Sequence, residues 1–287
     1  MEISDKIFAI QNEIDFNNCA VEIFRFQAKN NLVYQQFLDI LKVNPEAIQH
    51  YREIPFLPIQ FFKSQEVIIE GLEPEVTFSS SGTTGMITSK HLVAKSDLYV
   101  ESFRRAFEQF YGKVEDMAIV ALLPSYLERS GSSLIYMVDD LIKRSNQAES
   151  GYFLYNHDDL FHTLTKLKES GTKTVLFGVT YALLDFIEQY QIDFPELIVM
   201  ETGGMKGKRK EMIREELHQI LGEGFNVKSI HSEYGMTELL SQGYSYGDGL
   251  FHTPNWMKIL IRDTNDPLSL LDNKKTGAIN VIDLANY

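Results

Sequence analysis

Short apolar runs separated by helix-length stretches constrain this chain most. The runs 117-MAIVALL-123, 173-KTVLFG-178 and 197-LIVM-200 alternate with amphipathic segments at 132–145, 157–169 and 180–190. The first run stops at Pro124, and the segment 157–169 is opened by Asn156 and closed by Gly171. A strand covered on both faces reads as an unbroken apolar run, and such runs in alternation with helices predict βαβ units. The expected fold class is α/β, with mostly parallel sheets covered by helices. Helices at 97–111 and 206–221 and strands near 227–230, 256–262 and 278–283 complete that expectation.

The first 50 residues or so carry a different pattern. In 30-NNLVYQQFLDILKVN-44, Leu32, Val33, Gln36, Phe37, Ile40 and Leu41 define a helical face, which Pro45 ends. The two prolines of 54-IPFLPIQFFK-63 predict an extended path into a strand at Glu66–Ile69. The division expected is a helical N-terminal segment over 1–53 and one larger domain over 54–287. The final segment, 278-AINVIDLANY-287, reads as a strand still under way, so the natural domain is expected to continue past Tyr287.

Composition narrows the function classes. The net charge of −13 opposes binding to a nucleic-acid backbone or an anionic membrane, each of which needs a basic face. A single nucleotide stays compatible with it, because local amides and one lysine hold a phosphate on an acidic protein. Cys19 is the only cysteine, which excludes an intramolecular disulfide and a cysteine-based zinc site. The N-terminus lacks the apolar core of a signal peptide, and no apolar run is long enough to span a bilayer. A soluble, cytoplasmic chain without membrane insertion is expected.

Four polar stretches stand where strands are expected to end. The first, 79-SSSGTTGMITSKH-91, holds seven hydroxyl side chains, two glycines and a lysine in thirteen positions. Gly82 and Gly85 let the backbone approach an anion, while Ser80, Ser81, Thr83 and Thr84 add donors and Lys90 a mobile charge. A solvated loop whose hydroxyls cap the next helix accounts for the composition equally well. In 231-HSEYGMTELLSQGY-244, Glu238 could hold Mg²⁺, Thr237 a phosphate and Tyr234 an adenine ring, or the whole could be an ordinary turn. The remaining two are 201-ETGGMKGKRKEM-212, with Gly203 and Gly204, and 121-ALLPSYLERSGSS-133. Ligands of open α/β sheets bind outside the carboxyl ends of the strands, and all four stretches suit such a position.

The order S-S-G-T-T-G…S-K, L-P-S-Y, T-G-G, Y-G-M-T-E resembles the adenylate-forming superfamily of acyl ligases. Within it, 54-IPFLPIQFFK-63, Ser89-Lys90-His91, 122-LLPSYLERSGSSLIYM-137 and 203-GGMKGKRKEM-212 are similar to the acyl-protein synthetase branch. That branch comprises the long-chain-fatty-acid–luciferin-component ligases and their relatives. The resemblance runs from about Ile54 onward. It implies ATP and Mg²⁺ as cofactors and a carboxylic acid substrate, activated as acyl-AMP and passed to an acceptor protein, a carrier or CoA. It also implies residue roles. Ser80, Ser81, Gly82, Thr83, Thr84, Gly85 and Lys90 would handle the β- and γ-phosphates, and Gly203, Gly204 and Tyr234 would flank adenine. Thr237 would contact the α-phosphate, Glu238 would bind Mg²⁺, and the Pro124-Ser125-Tyr126 segment would lie near the acyl carboxylate. Arg129 is a further candidate for an anionic substrate group.

The departures from the family are specific. Its ribose-binding acidic residue would follow the strand at 278–283, beyond Tyr287, and its C-terminal lysine and acyl-carrying cysteine have no counterpart here. Cys19 lies in the wrong part of the chain and reads as packing. A phenylacetate-type CoA ligase, or a nucleotide- or acyl-binding protein without catalysis, is therefore kept beside the leading reading. His91, His231 and His252 read as satisfied loop histidines, and 206-KGKRK-210 as a solvated face.

Overall fold

The computed structural model describes residues 2–80, 88–124, 131–203, 208–210, 212–272 and 275–287. The chain divides into two compact units. One comprises residues 1–103, 236–241 and 253–287, and the other 104–235 and 242–252.

The second unit is built on a seven-stranded sheet. In chain order its strands are β3 (Ala118–Leu122), β4 (Gly151–Phe153), β5 (Thr174–Gly178), β6 (Ile198–Glu201), β7 (His231–Tyr234), β8 (Gly243–Ser245) and β9 (Phe251–His252). Their order across the sheet is β4-β3-β5-β6-β7-β8-β9. The first five are parallel, whereas β8 and β9 add antiparallel at one edge. Every residue of β3 and β5 is buried, as expected of central strands covered on both faces. The helices between them are α6 (Ser133–Arg144), α7 (His157–Glu169), α8 (Thr180–Ile187) and α9 (Arg214–Phe225).

The α/β expectation holds, with local corrections. The helix expected at 206–221 is α9, beginning only at Arg214, and residues 208–210 and 212–213 are not helical. The strand expected near 227–230 is β7, four residues later, because α9 runs on to Phe225 and Asn226 closes it in the left-handed conformation (φ 50°). Asn156 precedes α7 without capping it: its side-chain oxygen accepts from Leu154 N at 3.0 Å instead.

The first unit gathers the N-terminal helices and two hairpins. Helices α1 (Ile3–Phe8), α2 (Glu13–Asn30) and α3 (Leu32–Leu41) precede the single turn α4 (Phe61–Ser64). Asn12 caps α2 by accepting from the amides of Ile14 and Asp15, and Asn31 caps α3 by accepting from Tyr34 N. The face of α3 is rotated from the expected one: Tyr34 and Leu38 are buried, while Leu32 and Ile40 are exposed. Tyr34 decides this, since its ring joins Phe24, Ala28 and Leu38 and its hydroxyl donates to Pro55 O at 2.6 Å. Residues 66–69 are not a strand. Strands β1 (Val76–Ser79) and β2 (Lys90–Val93) form one antiparallel hairpin, and β10 (Met257–Arg262) and β11 (Ala278–Asp283) another. Helix α5 (Ser96–Tyr111) carries the chain from this unit into the other. Cys19 is buried in α2, and burial pushes its thiol up to about 11, so it is inert packing.

Candidate active site

The parallel registers of the large sheet align Leu122, Gly178 and Glu201, the last residues of β3, β5 and β6, in one row with Ser232 of β7. The chain leaves β3 for β4 on one side and returns to β5 on the other, so β3 and β5 flank the switch point of the sheet. Gly203, of the expected adenine segment, lies two residues beyond this row and takes φ +79°, which favours glycine. Tyr234 ends the neighbouring strand β7.

Glu201, passed over in the sequence, ties these ends together. Its Oε2 accepts from Gly203 N at 2.9 Å and Thr180 Oγ1 at 3.1 Å, and its Oε1 accepts from Ser232 Oγ at 3.0 Å. Burial pushes its pKa up, but His218, Ser232, Gly203 and Thr180 outweigh that and hold it below the usual carboxylate range. His218 contributes from 3.8 Å, an ion-pair separation beyond hydrogen-bond reach. An acid closing an apolar strand directly before T-G-G was the available signal. Glu233, one residue before Tyr234, is pushed up to about 8 by burial and by the Glu201 charge. Its Oε1 lies 2.5 Å from where a Cβ on Gly235 would stand, so a side chain at 235 would make the Glu233 carboxyl move.

The other group belongs to the first unit. The stretch 79-SSSGTTGMITSKH-91 begins with the last residue of β1 and ends within β2, which pairs with β1, so a strand, not a helix, comes next in the chain. Ser80 closes its base: Ser80 N donates to Ser89 O at 3.0 Å, and Ser89 N to Ser80 Oγ at 2.9 Å. Lys90 is exposed at the start of β2, and His91 is buried on the opposite face. His91 Nδ1 lies 2.9 Å from Thr237 O, and a carbonyl only accepts, so this nitrogen carries a proton. Through His91, β2 thus joins Lys90 to the segment bearing Thr237 and Glu238. Glu238 is buried, and among the described residues its carboxyl oxygens take no hydrogen bond or ion pair. No helix follows Tyr234; after 235–242 the chain returns as β8.

Of the expected site residues, Ser81, Gly82, Thr83, Thr84, Gly85, Ser125, Tyr126, Arg129 and Gly204 lie outside the described residues. Ser80, Lys90, Thr237 and Glu238 gather in one unit, and Gly203 and Tyr234 in the other. His91 bonds through Nδ1 to Thr237 O, 146 residues along the chain, while its Nε2 stands 2.9 Å from Asn286 Oδ1, an oxygen that can only accept. His231 bonds to Tyr111 Oη at 3.2 Å. Among the described residues no group of three or more His, Cys, Asp or Glu is arranged to hold a metal alone, and no helix is long and apolar enough to cross a membrane.

Neither a known protein family nor a curated protein matches the chain by sequence. The fold does have solved counterparts. A crystal structure of 2-hydroxyisobutyryl-CoA ligase, in the postadenylation state with R3-HIB-AMP, superposes with a TM-score of 0.59 over 95% of this chain at 8% identity. The chain spans 59% of that ligase's length. The chain therefore shares the fold of part of an adenylate-forming ligase.

Proposed function

We propose that the chain activates a carboxylic acid, of the fatty class, as an acyl-adenylate and passes the acyl group to a thiol on a protein or carrier. One coincidence carries this reading. Thr202 and Gly203 of T-G-G follow β6, and Y-G-M-T-E begins with the last residue of the neighbouring β7, in a sheet with the fold of an acid-adenylating ligase.

In the reaction a carboxylate oxygen bonds to the α-phosphorus of ATP while the bond to pyrophosphate breaks. The acid is already ionised at neutral pH, so no general base is required. Catalysis then consists of alignment and charge neutralisation. The Ser80–Gly85 loop would hold the β- and γ-phosphates, and the exposed Lys90 would neutralise the departing pyrophosphate. Thr237 would bond an α-phosphate oxygen, with Gly203, Gly204 and Tyr234 against adenine. Ser125, Tyr126 and Arg129 would serve the acid. The carboxylate of Glu238, a buried residue, fits a Mg²⁺ ligand, and the ion would supply further neutralisation of the phosphates.

The test is acid-dependent ATP–pyrophosphate exchange with short, long and aromatic acids, run on this chain and on one extended beyond Tyr287. Exchange with at least one acid is expected, and Lys90→Ala is expected to lower it by about 10²- to 10³-fold. Silence with every acid in both chains removes the reading, and calorimetric ATP binding without exchange assigns a binding role instead. Because the structural counterpart is a CoA ligase, a phenylacetate-type CoA ligase is the second reading. Acyl-CoA formed from free CoA selects it.

A further inference from the structure

The segment 237–241, which carries Thr237 and Glu238, is neither helix nor strand, so its backbone polar groups need partners from elsewhere. Side chains of the same unit supply them, His91 buried and Asn286 and Asp283 half-buried. His91 Nδ1 donates to Thr237 O at 2.9 Å, and its Nε2 lies 2.9 Å from Asn286 Oδ1. Asn286 Nδ2 in turn donates to Glu238 O at 3.0 Å. Beyond them Asp283 accepts from Leu240 N at 2.7 Å and from Ser241 Oγ at 2.6 Å. The His91 ring is 3% exposed and packs edge-on against Phe62 at 5.6 Å, so it has little freedom to turn.

We propose that His91, together with Asn286, is a positioning residue for a Mg²⁺–nucleotide, setting Thr237 and Glu238 relative to Lys90. His91 and Lys90 are consecutive on β2 and point to opposite faces, so one short strand fixes both the phosphate-facing cation and the metal-facing acid. Holding the two backbone carbonyls fixes the positions from which the side chains of Thr237 and Glu238 project. This inference rests on the acid-activating reading above.

Calorimetry of ATP binding to the full chain, with and without Mg²⁺, tests it on wild type, His91→Gln and Asn286→Ala. Wild type is expected to bind ATP more tightly with Mg²⁺. His91→Gln is expected to lose about 10- to 100-fold of the Mg²⁺–ATP affinity, the usual effect of removing the support behind a metal ligand, and distinctly less of its Mg²⁺-free affinity, to which only Thr237 contributes. Asn286→Ala, which retains the histidine, is expected to show a smaller loss of the same kind. In both ligand-free variants the amides of 237–241 should exchange with deuterium faster than in wild type. Wild-type Mg²⁺–ATP affinity in the folded variants overturns the proposal, as does an equal loss with and without Mg²⁺. If His91→Gln does not fold, an unchanged Asn286→Ala overturns it alone. A wild type indifferent to Mg²⁺ refutes the metal-binding reading itself and the inference with it, an outcome distinct from unaffected variants.

Discussion

Burial and the neighbouring Glu201 charge push the Glu233 pKa up to about 8, whereas donors around Glu201 hold that acid ionised. Two acids on adjacent strands thus occupy different protonation states near neutrality. The folded chain keeps a proton on Glu233 that an unfolded chain releases near 4.5. Across that window the native state binds more protons, so this group's contribution to stability falls as pH rises from about 4.5 to about 8. Urea denaturation over this range should show Glu233→Gln gaining on wild type as pH rises; a constant difference between the two would refute it. Neither acid stood out in the sequence, where Glu233 is one letter inside H-S-E-Y-G and Glu201 one letter before T-G-G. The effect of Glu201 on Glu233 arises from the pairing of β6 with β7, which no local pattern encodes.

Among the elements, the passage from β5 into α8 is closely packed at Gly178. A Cβ on Gly178 would stand 2.3 Å from Leu183 Cδ2 and 2.4 Å from its Cγ, and Leu183 is fully buried. Gly178 O also accepts from Thr202 N at 3.0 Å, next to the T-G-G turn. Gly178→Ala should therefore destabilise the protein by about 1–3 kcal/mol, the usual cost of overpacking. Chemical denaturation checks this, and an unchanged midpoint would show that Leu183 can move aside. The long apolar strands were legible in the sequence because a doubly covered strand needs an unbroken apolar run. By contrast, β4, β8 and β9 have only two or three residues each, too few to form a pattern. The face of α3 was misread because apolar spacing alone does not reveal that Tyr34 has a buried acceptor at Pro55.

At the scale of the whole molecule, the net charge of −13 predicts that the chain passes through heparin and leaves anionic vesicles unbound at physiological salt. Retention on heparin, lost as salt is raised, would show a basic face hidden in the total. The acidity places no bar on a nucleotide held by amides and one lysine. What the sequence determined by itself was the α/β class, most helices and strands, and the four polar stretches, because hydrophobic period and turn chemistry act over a few neighbouring residues. Tertiary structure alone decided the strand order, the antiparallel edge, the hairpin beneath 79-SSSGTTGMITSKH-91 and the partners of Glu201 and His91. The reason is distance along the chain: these features depend on groups as far apart as His91 and Asn286, and they acquire their energies only when folding brings them within hydrogen-bond reach.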